Sequence, residues 1–192
     1  MKYYTGVGSR ETPEHILKFI EDVAYWLAGR GYTGRSGSAV GADTAFEQGF
    51  NHYEIGNGVS DHVSFEAYFP WKGFSGIRED SIHIATPELP DYNEAFNIAS
   101  TIHPAWNRLG RGAKALHTQN VYQVLGLDLK TPSKALFCYA QPTKNKQGIV
   151  TGVKGGTNTA VQLARKHNIP IYNFYLQEDI DKVKSMMEKY KV

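Results

Sequence analysis

Thr33-Gly34-Arg35-Ser36-Gly37-Ser38-Ala39-Val40-Gly41-Ala42-Asp43-Thr44-Ala45-Phe46-Glu47-Gln48-Gly49-Phe50 reads as a strand that passes through a Gly/Ser turn into a helix. Tyr32 to Arg35 supply the extended run, and a helical pattern begins near Gly41. The turn has two readings. Ser36 and Ser38 cap the helix while Gly37 and Gly41 make a tight bend. Alternatively, the unpaired N–H groups at the helix start, with the positive end of its dipole, hold a phosphate or another anion. Two comparable turns, Gly6-Val7-Gly8-Ser9-Arg10 and Gly155-Gly156-Thr157-Asn158-Thr159, favour the second reading.

Working outward, Lys2 to Val7 is expected as the first strand. A helix follows from Thr12-Pro13-Glu14, with Ile16, Ile20, Val23 and Leu27 at helical spacing and an end at Gly29 or Gly31. After the central helix, Gly56-Asn57-Gly58 is a break and His62 to Phe69 a third strand. The run from Trp71 to Pro90 shows no sustained period. Glu94 to Trp106 is expected as a helix that Pro104 ends or kinks near His103, and Ala113 to Leu125 as another, closed by Gly126. Lys134 to Ala140 is a core strand, and Gln141 to Lys154 reads as loose and mobile. A helix then runs to about His167, Ile169 to Phe174 form the last strand, and Ile180, Val183, Met187 and Tyr190 mark a closing helix. Alternation of this kind implies one α/β domain over residues 1–192, with a Rossmann-like, mostly parallel sheet of about five strands flanked by helices. The turns after parallel strands meet at one sheet edge, so the three Gly-rich turns are expected to line one crevice.

The 192 residues suffice for a sizeable core, and a net charge of +2 provides no general attraction for nucleic acid. One cysteine, Cys138, rules out an internal disulfide and reads as a buried strand residue. The N-terminus lacks signal-peptide character and no apolar run reaches membrane-spanning length, so a cytoplasmic protein is expected. The seven histidines and the cysteine show no ligand spacing, so no metal site is expected, and no cofactor is assigned. The dinucleotide fingerprint fails because Glu11 stands where its third glycine belongs. Neither the phosphate loop with its lysine nor a Gly-x-Ser-x-Gly elbow is present.

Ser36-Gly-Ser-Ala-x-Gly-Ala-Asp43-x-Ala-x-Glu47-x-Gly49 resembles the Ser-Gly-x-Ala-x-Gly-x-Asp-x-Ala segment of the DprA/Smf proteins. Gly155-Gly156-Thr157-Asn158-Thr159-Ala160-Val161-Gln162 is similar to the Gly-Gly-x-Gly-Thr-x-x-Glu loop of the LOG family. The stretch His117-x-x-Asn120-x-x-Gln123-Val-Leu-Gly126, with Pro132-Ser133 and the Cys138 strand, looks like small DprA-like proteins of bacteriophages. These families are grouped as the SLOG superfamily, and the resemblance implies a Rossmann-like fold that binds nucleotides or nucleotide-derived molecules. In LOG enzymes, which cleave the N-glycosidic bond of nucleoside monophosphates, the closing glutamate is catalytic. Gln162 stands at that position here and cannot exchange a proton as a carboxylate does.

The expected ligand-binding residues are Gly8, Ser9, Arg10, Ser36, Gly37, Ser38, Asp43, Arg78, Asn120, Gly155, Gly156, Thr157 and Thr159. Arg10 or Arg78 would meet a phosphate. Asp43 either accepts from a ribose hydroxyl or compensates the helix dipole. Asn120, with His117 and Gln123 on one helix arc, serves base recognition or forms a solvated face. Trp71 and Phe74 stack on a base or pack under a loop. If the protein is an N-glycosidase, Glu47 and Glu79 are the substitute carboxylates. The main expectation is a nucleotide-binding protein, a sensor or a sequestering module, that forms a homo-oligomer. The DprA resemblance adds single-stranded DNA as an alternative partner, met by Lys144, Lys146 and Lys154 or by Arg108, Arg111 and Lys114.

Overall fold

Successive side chains along Lys2–Gly8 point to opposite sides, and both sides are covered: Tyr4 enters one apolar layer and Val7 another. The computed structural model describes residues 1–58 and 64–191. In chain order the elements are β1 (Lys2–Gly8), α1 (Glu14–Gly29), β2 (Tyr32–Ser36), α2 (Ala42–Asn57), β3 (Phe65–Phe69), β4 (His83–Ala85), α3 (Tyr92–Ile102), α4 (Arg111–Leu125), β5 (Ala135–Tyr139), β6 (Pro142–Lys144), β7 (Val150–Val153), α5 (Thr157–Lys166), β8 (Ile171–Asn173) and α6 (Gln177–Lys189). Six strands pair in parallel in the order β4-β3-β2-β1-β5-β8. Residues of α1, α2 and α6 pack with Tyr4, Phe65 and Phe137 on one face. Residues of α3, α4 and α5 pack with Val7, Leu136 and Cys138 on the other. This is the Rossmann-like α/β architecture that the alternation of elements implied. Cys138 is buried as expected, and burial pushes its thiol up to about 12.

Among the described residues the sheet has one strand more than expected. Three residues, His83–Ala85, are too short to show a period, yet they pair along β3, and the Ala67 N–H donates to the Ile82 carbonyl at 2.7 Å. The third strand begins at Phe65; the expected positions His62 and Val63 lie outside the described residues. α3 stops at Ile102 because His103, held extended (φ −83°, ψ 117°), precedes Pro104. The expectation of a loose Gln141–Lys154 segment is corrected, since β6 and β7 form an antiparallel hairpin there. Asn145 Oδ1 accepts the Gln147 and Ile149 N–H groups and shapes the turn. The hairpin is also held by α5, where Asn158 Oδ1 accepts from Val153 N–H and Gln162 Nε2 donates to the Thr151 carbonyl at 2.7 Å. The side chain standing at the LOG glutamate position is thus engaged with the hairpin backbone.

Candidate functional site

Strand order reverses between β1 and β5, and a cleft of about 320 Å³ lies beyond the end of β1 at this point. Gly8, Ser9 and Arg10 form one wall, Lys154, Gly155, Gly156 and Thr157 the opposite one. Gln119, Asn120 and Gln123 of α4 line it together with Asp43, Ala39 and Phe74. A larger groove of about 650 Å³ lies beside it, lined by Trp71, Tyr92, Phe96, Arg111 and Lys114 among others. Trp71 and Phe74, edge to face at 5.3 Å, stand between the two. The smaller cleft is the candidate site, because strand-to-helix turns converge there and bring unpaired backbone donors with them.

The central turn serves this cleft differently from either of its readings. Asp43, 6% exposed in the first turn of α2, accepts the Gly8 N–H at 3.0 Å. The N–H groups of Ala39 and Gly37 also support its carboxylate. Burial pushes this carboxyl up to about 7, against the opposing pull of those three N–H groups and the Arg10 guanidinium. The donors expected to cradle a phosphate are therefore occupied by an internal carboxylate. Ser36 points inward, its hydroxyl donating to the Gly6 carbonyl at 2.6 Å, which ties the ends of β1 and β2. At Gly37 any Cβ would overlap the Gln119 and Gln123 amides. Gly41 enters α2 at φ 101°, where a Cβ would press on the Ser9 carbonyl and the Arg10 backbone. The approach at Gly37 brings the β2 turn against α4, the approach at Gly41 brings it against the β1 turn, and the Ala42 N–H seals the latter by donating to the Ser9 carbonyl. Ser36, Gly37 and Ser38 do not line the cleft.

Ser38 and Glu47 belong to a separate polar chain. Ser38, buried at φ 53°, donates to Glu47 Oε2 at 3.1 Å, and Glu47 Oε1 lies 3.0 Å from His83 Nε2. The other ring nitrogen of His83 lies 2.9 Å from Asp80 Oδ2. A neutral imidazole carries one N–H and can satisfy only one of these carboxylates, whereas the charged ring satisfies both. Burial works against that charge, but hydrogen bonding and attraction from Asp80 and Glu47 outweigh it and raise the ring above its ordinary value. With the folded pKa above the unfolded one, the clip's stabilisation is fully present below about pH 6.5 and is lost as pH rises through the raised folded value. The stability advantage of wild type over His83→Gln is expected to be about 1 kcal/mol at pH 6 and to shrink as pH rises through the raised folded value, measured by urea unfolding along that range. An advantage that does not change with pH would mean that the ring is not charged.

On the opposite wall, the N–H groups of Gly155, Gly156 and Thr157 have no hydrogen-bond partner among the described residues. They sit at the start of α5, whose dipole adds to their attraction for an anion. Asn120 Nδ2 donates to the Gly156 carbonyl at 3.2 Å and holds this turn against α4. Thr159 is buried instead, sharing a 2.8 Å hydrogen bond with His117 Nδ1. Burial, with His103 beside it, holds the His117 ring down to about 4, so it is neutral. Arg78 is exposed and outside the cleft lining, and Glu79 pairs with Lys72 at 3.2 Å. Glu47 is likewise absent from the lining, which leaves Asp43 as the carboxylate there among the described residues. The arc of His117, Asn120 and Gln123 is not a solvated face; all three are buried. Sequence reasoning missed Gln119 altogether and placed Lys154 in a cluster for DNA. The signal for Lys154 was its position directly before Gly155-Gly156. None existed for Gln119, whose partners, the Gly37 and Tyr68 carbonyls, lie far away in sequence.

Among the described residues no group of three or more His, Cys, Asp or Glu side chains could hold a metal ion, and no helix is long and apolar enough to cross a membrane. No family model and no curated protein matches the chain. Among solved structures, the Moco carrier protein of Chlamydomonas rheinhardtii is similar with a TM-score of 0.49 at 16% identity, over 98% of this chain and 86% of that one. DNA processing protein A from Helicobacter pylori, whose structure addresses its single-stranded DNA binding mode, is similar with a TM-score of 0.36 at 14% identity, over 99% and 81%. Neither likeness reaches the level at which a ligand carries over from one protein to the other.

Proposed function

We propose that the cleft beyond β1 binds a nucleotide-like small molecule through its phosphate. The observation that carries this reading is the unpaired Gly155, Gly156 and Thr157 N–H donors facing Arg10 across the strand-order reversal, with Lys154 on the same wall. Arg10 acts as the bidentate side-chain donor, and Lys154 adds a point charge. The protein is then a binder, a sensor or a sequestering module.

Thermal unfolding with a panel of nucleoside monophosphates tests this. A ligand at 100 times its Kd is expected to add about 2.7 kcal/mol, a Tm rise on the order of 5–10 °C. Replacing Arg10 and Lys154 together by alanine is expected to weaken binding by about 100-fold or more, since each charge-assisted hydrogen bond contributes roughly 1.5–3 kcal/mol. No shift with any phosphate-bearing ligand would sink the reading.

One observation keeps an N-glycosidase reading in view. Asp43, with a carboxyl near 7, is able to exchange a proton at neutral pH. Chromatography of the same mixtures separates the two: a binder releases no free base, whereas base release abolished by Asp43→Asn would establish an enzyme. Single-stranded DNA is the remaining outcome. It would show as affinity falling steeply with salt, with a slope that flattens when Lys144, Lys146 and Lys154 become alanine.

A further inference from the structure

We infer that the α4 floor of the cleft selects ligands whose far end is an amino-bearing nucleobase and rejects their keto counterparts. This rests on the nucleotide reading of the cleft and adds to it the identity of the base edge. Three carboxamides line that floor: Gln119, Asn120 and Gln123. The Gln119 Nε2 group donates to the Gly37 carbonyl at 3.2 Å and to the Tyr68 carbonyl. Asn120 Nδ2 donates to the Leu116 and Gly156 carbonyls, each at 3.2 Å. Each amino group has two hydrogens, so both are consumed. The orientations are forced, because turning either amide over would set its oxygen against two carbonyl oxygens.

What these two residues have left for a ligand is an acceptor. Gln123 adds a third: the residue is 2% exposed, and Oε1 has no hydrogen-bond partner among the described residues. An orphaned buried acceptor asks for an explanation, and a donor on a bound ligand provides one. The cleft is therefore polarised, with donors and cations at Arg10 and Lys154–Thr157 and acceptors along α4. A ligand that matches it carries an anion at one end and N–H donors at the other. An exocyclic amine meets the floor with donors, whereas a keto oxygen in its place meets acceptors only. A mismatch of this kind costs roughly a factor of ten in affinity or more.

Titration calorimetry with two amino/keto pairs tests the assignment: adenosine against inosine 5′-monophosphate, and cytidine against uridine 5′-monophosphate. Wild type is expected to bind each amino member at least about 10-fold tighter than its partner. Gln123→Met, similar in volume but without an acceptor, is expected to reduce that ratio toward one. Gln123→Glu, which keeps acceptors, is expected to preserve it. N6,N6-dimethyladenosine 5′-monophosphate removes the donors without touching the protein, so it tests the point even if Gln123→Met fails to fold; it is expected to bind no better than the inosine nucleotide. Equal affinities within both pairs, a keto preference, or an amino preference that survives both Gln123→Met and dimethylation would overturn the inference and leave phosphate binding standing. If neither ribose 5-phosphate nor any of the nucleotides binds, the nucleotide reading itself falls.

Discussion

Arg35→Met is expected to destabilise the protein by about 3–5 kcal/mol, a Tm loss on the order of 10 °C in a thermal melt. Arg35 lies on β2 and is 2% exposed, a burial that a guanidinium tolerates only when its donors are met. Its Nε donates to Glu66 Oε2 at 2.7 Å, Nη1 to the Thr131 carbonyl at 2.6 Å, and the group lies 3.6 Å from the centre of the Tyr3 ring. Glu66 in turn accepts from the Tyr68 hydroxyl at 2.6 Å. The network clips the segment after α4 to the centre of the sheet, and α4 carries the floor of the cleft. Removing Arg35 alone leaves Glu66 without its cation and the Thr131 carbonyl without its donor. The double variant Arg35→Met with Glu66→Gln is therefore expected to lose clearly less than the sum of the single losses. Strict additivity would show that the two residues contribute independently.

Asp43 variants are expected to show the second large effect, with a pH dependence that identifies its cause. Asp43→Ala strips the acceptor from the N–H groups of Gly8, Ala39 and Gly37, and a loss of about 3 kcal/mol is expected in urea unfolding at pH 5. Asp43→Asn keeps an oxygen for Gly8 and never ionises. The wild-type carboxyl is raised from 3.8 to about 7 in the folded state, so the folded protein holds this proton more tightly than the unfolded chain does. Stability from this group is fully present below about pH 4 and is lost as pH rises through 7. Wild type is thus expected to lose ground to Asp43→Asn across that interval, by a total on the order of 4 kcal/mol. A difference that stays constant from pH 4 to 8 would show that the three N–H groups outweigh burial and that the carboxylate remains ionised throughout.

The same residue illustrates where reading the sequence succeeds. Asp43 was recognisable as important because it stands two positions into a helix that follows a Gly/Ser turn. Its geometry was not, because the Gly8 donor comes from a strand 35 residues earlier. Gly155-Gly156-Thr157 could be read locally, since an anion site at a helix start is made of consecutive backbone donors. Thr159 could not be told apart from them, and only the approach of α4 turned its hydroxyl to His117. Glu47 and Ser38 form the reverse case: both sit in the Gly/Ser turn and the helix that follows it, yet His83 on a three-residue edge strand claims the carboxylate.

The sequence by itself determined the α/β class, the parallel sheet with its helices, the buried Cys138 and the convergence of turns at one edge. Each of these follows from periodicity and from glycine, proline and capping residues acting over a few neighbouring positions. The tertiary structure decided the edge strand, the hairpin at 142–153, the burial of Arg35 and the division of polar groups between fold and cleft. A hydrogen-bonding side chain takes whichever partner the packing brings within about 3 Å. The partners of Gln119 stand 82 and 51 residues away in the chain, and their approach depends on how α4 lies across the sheet.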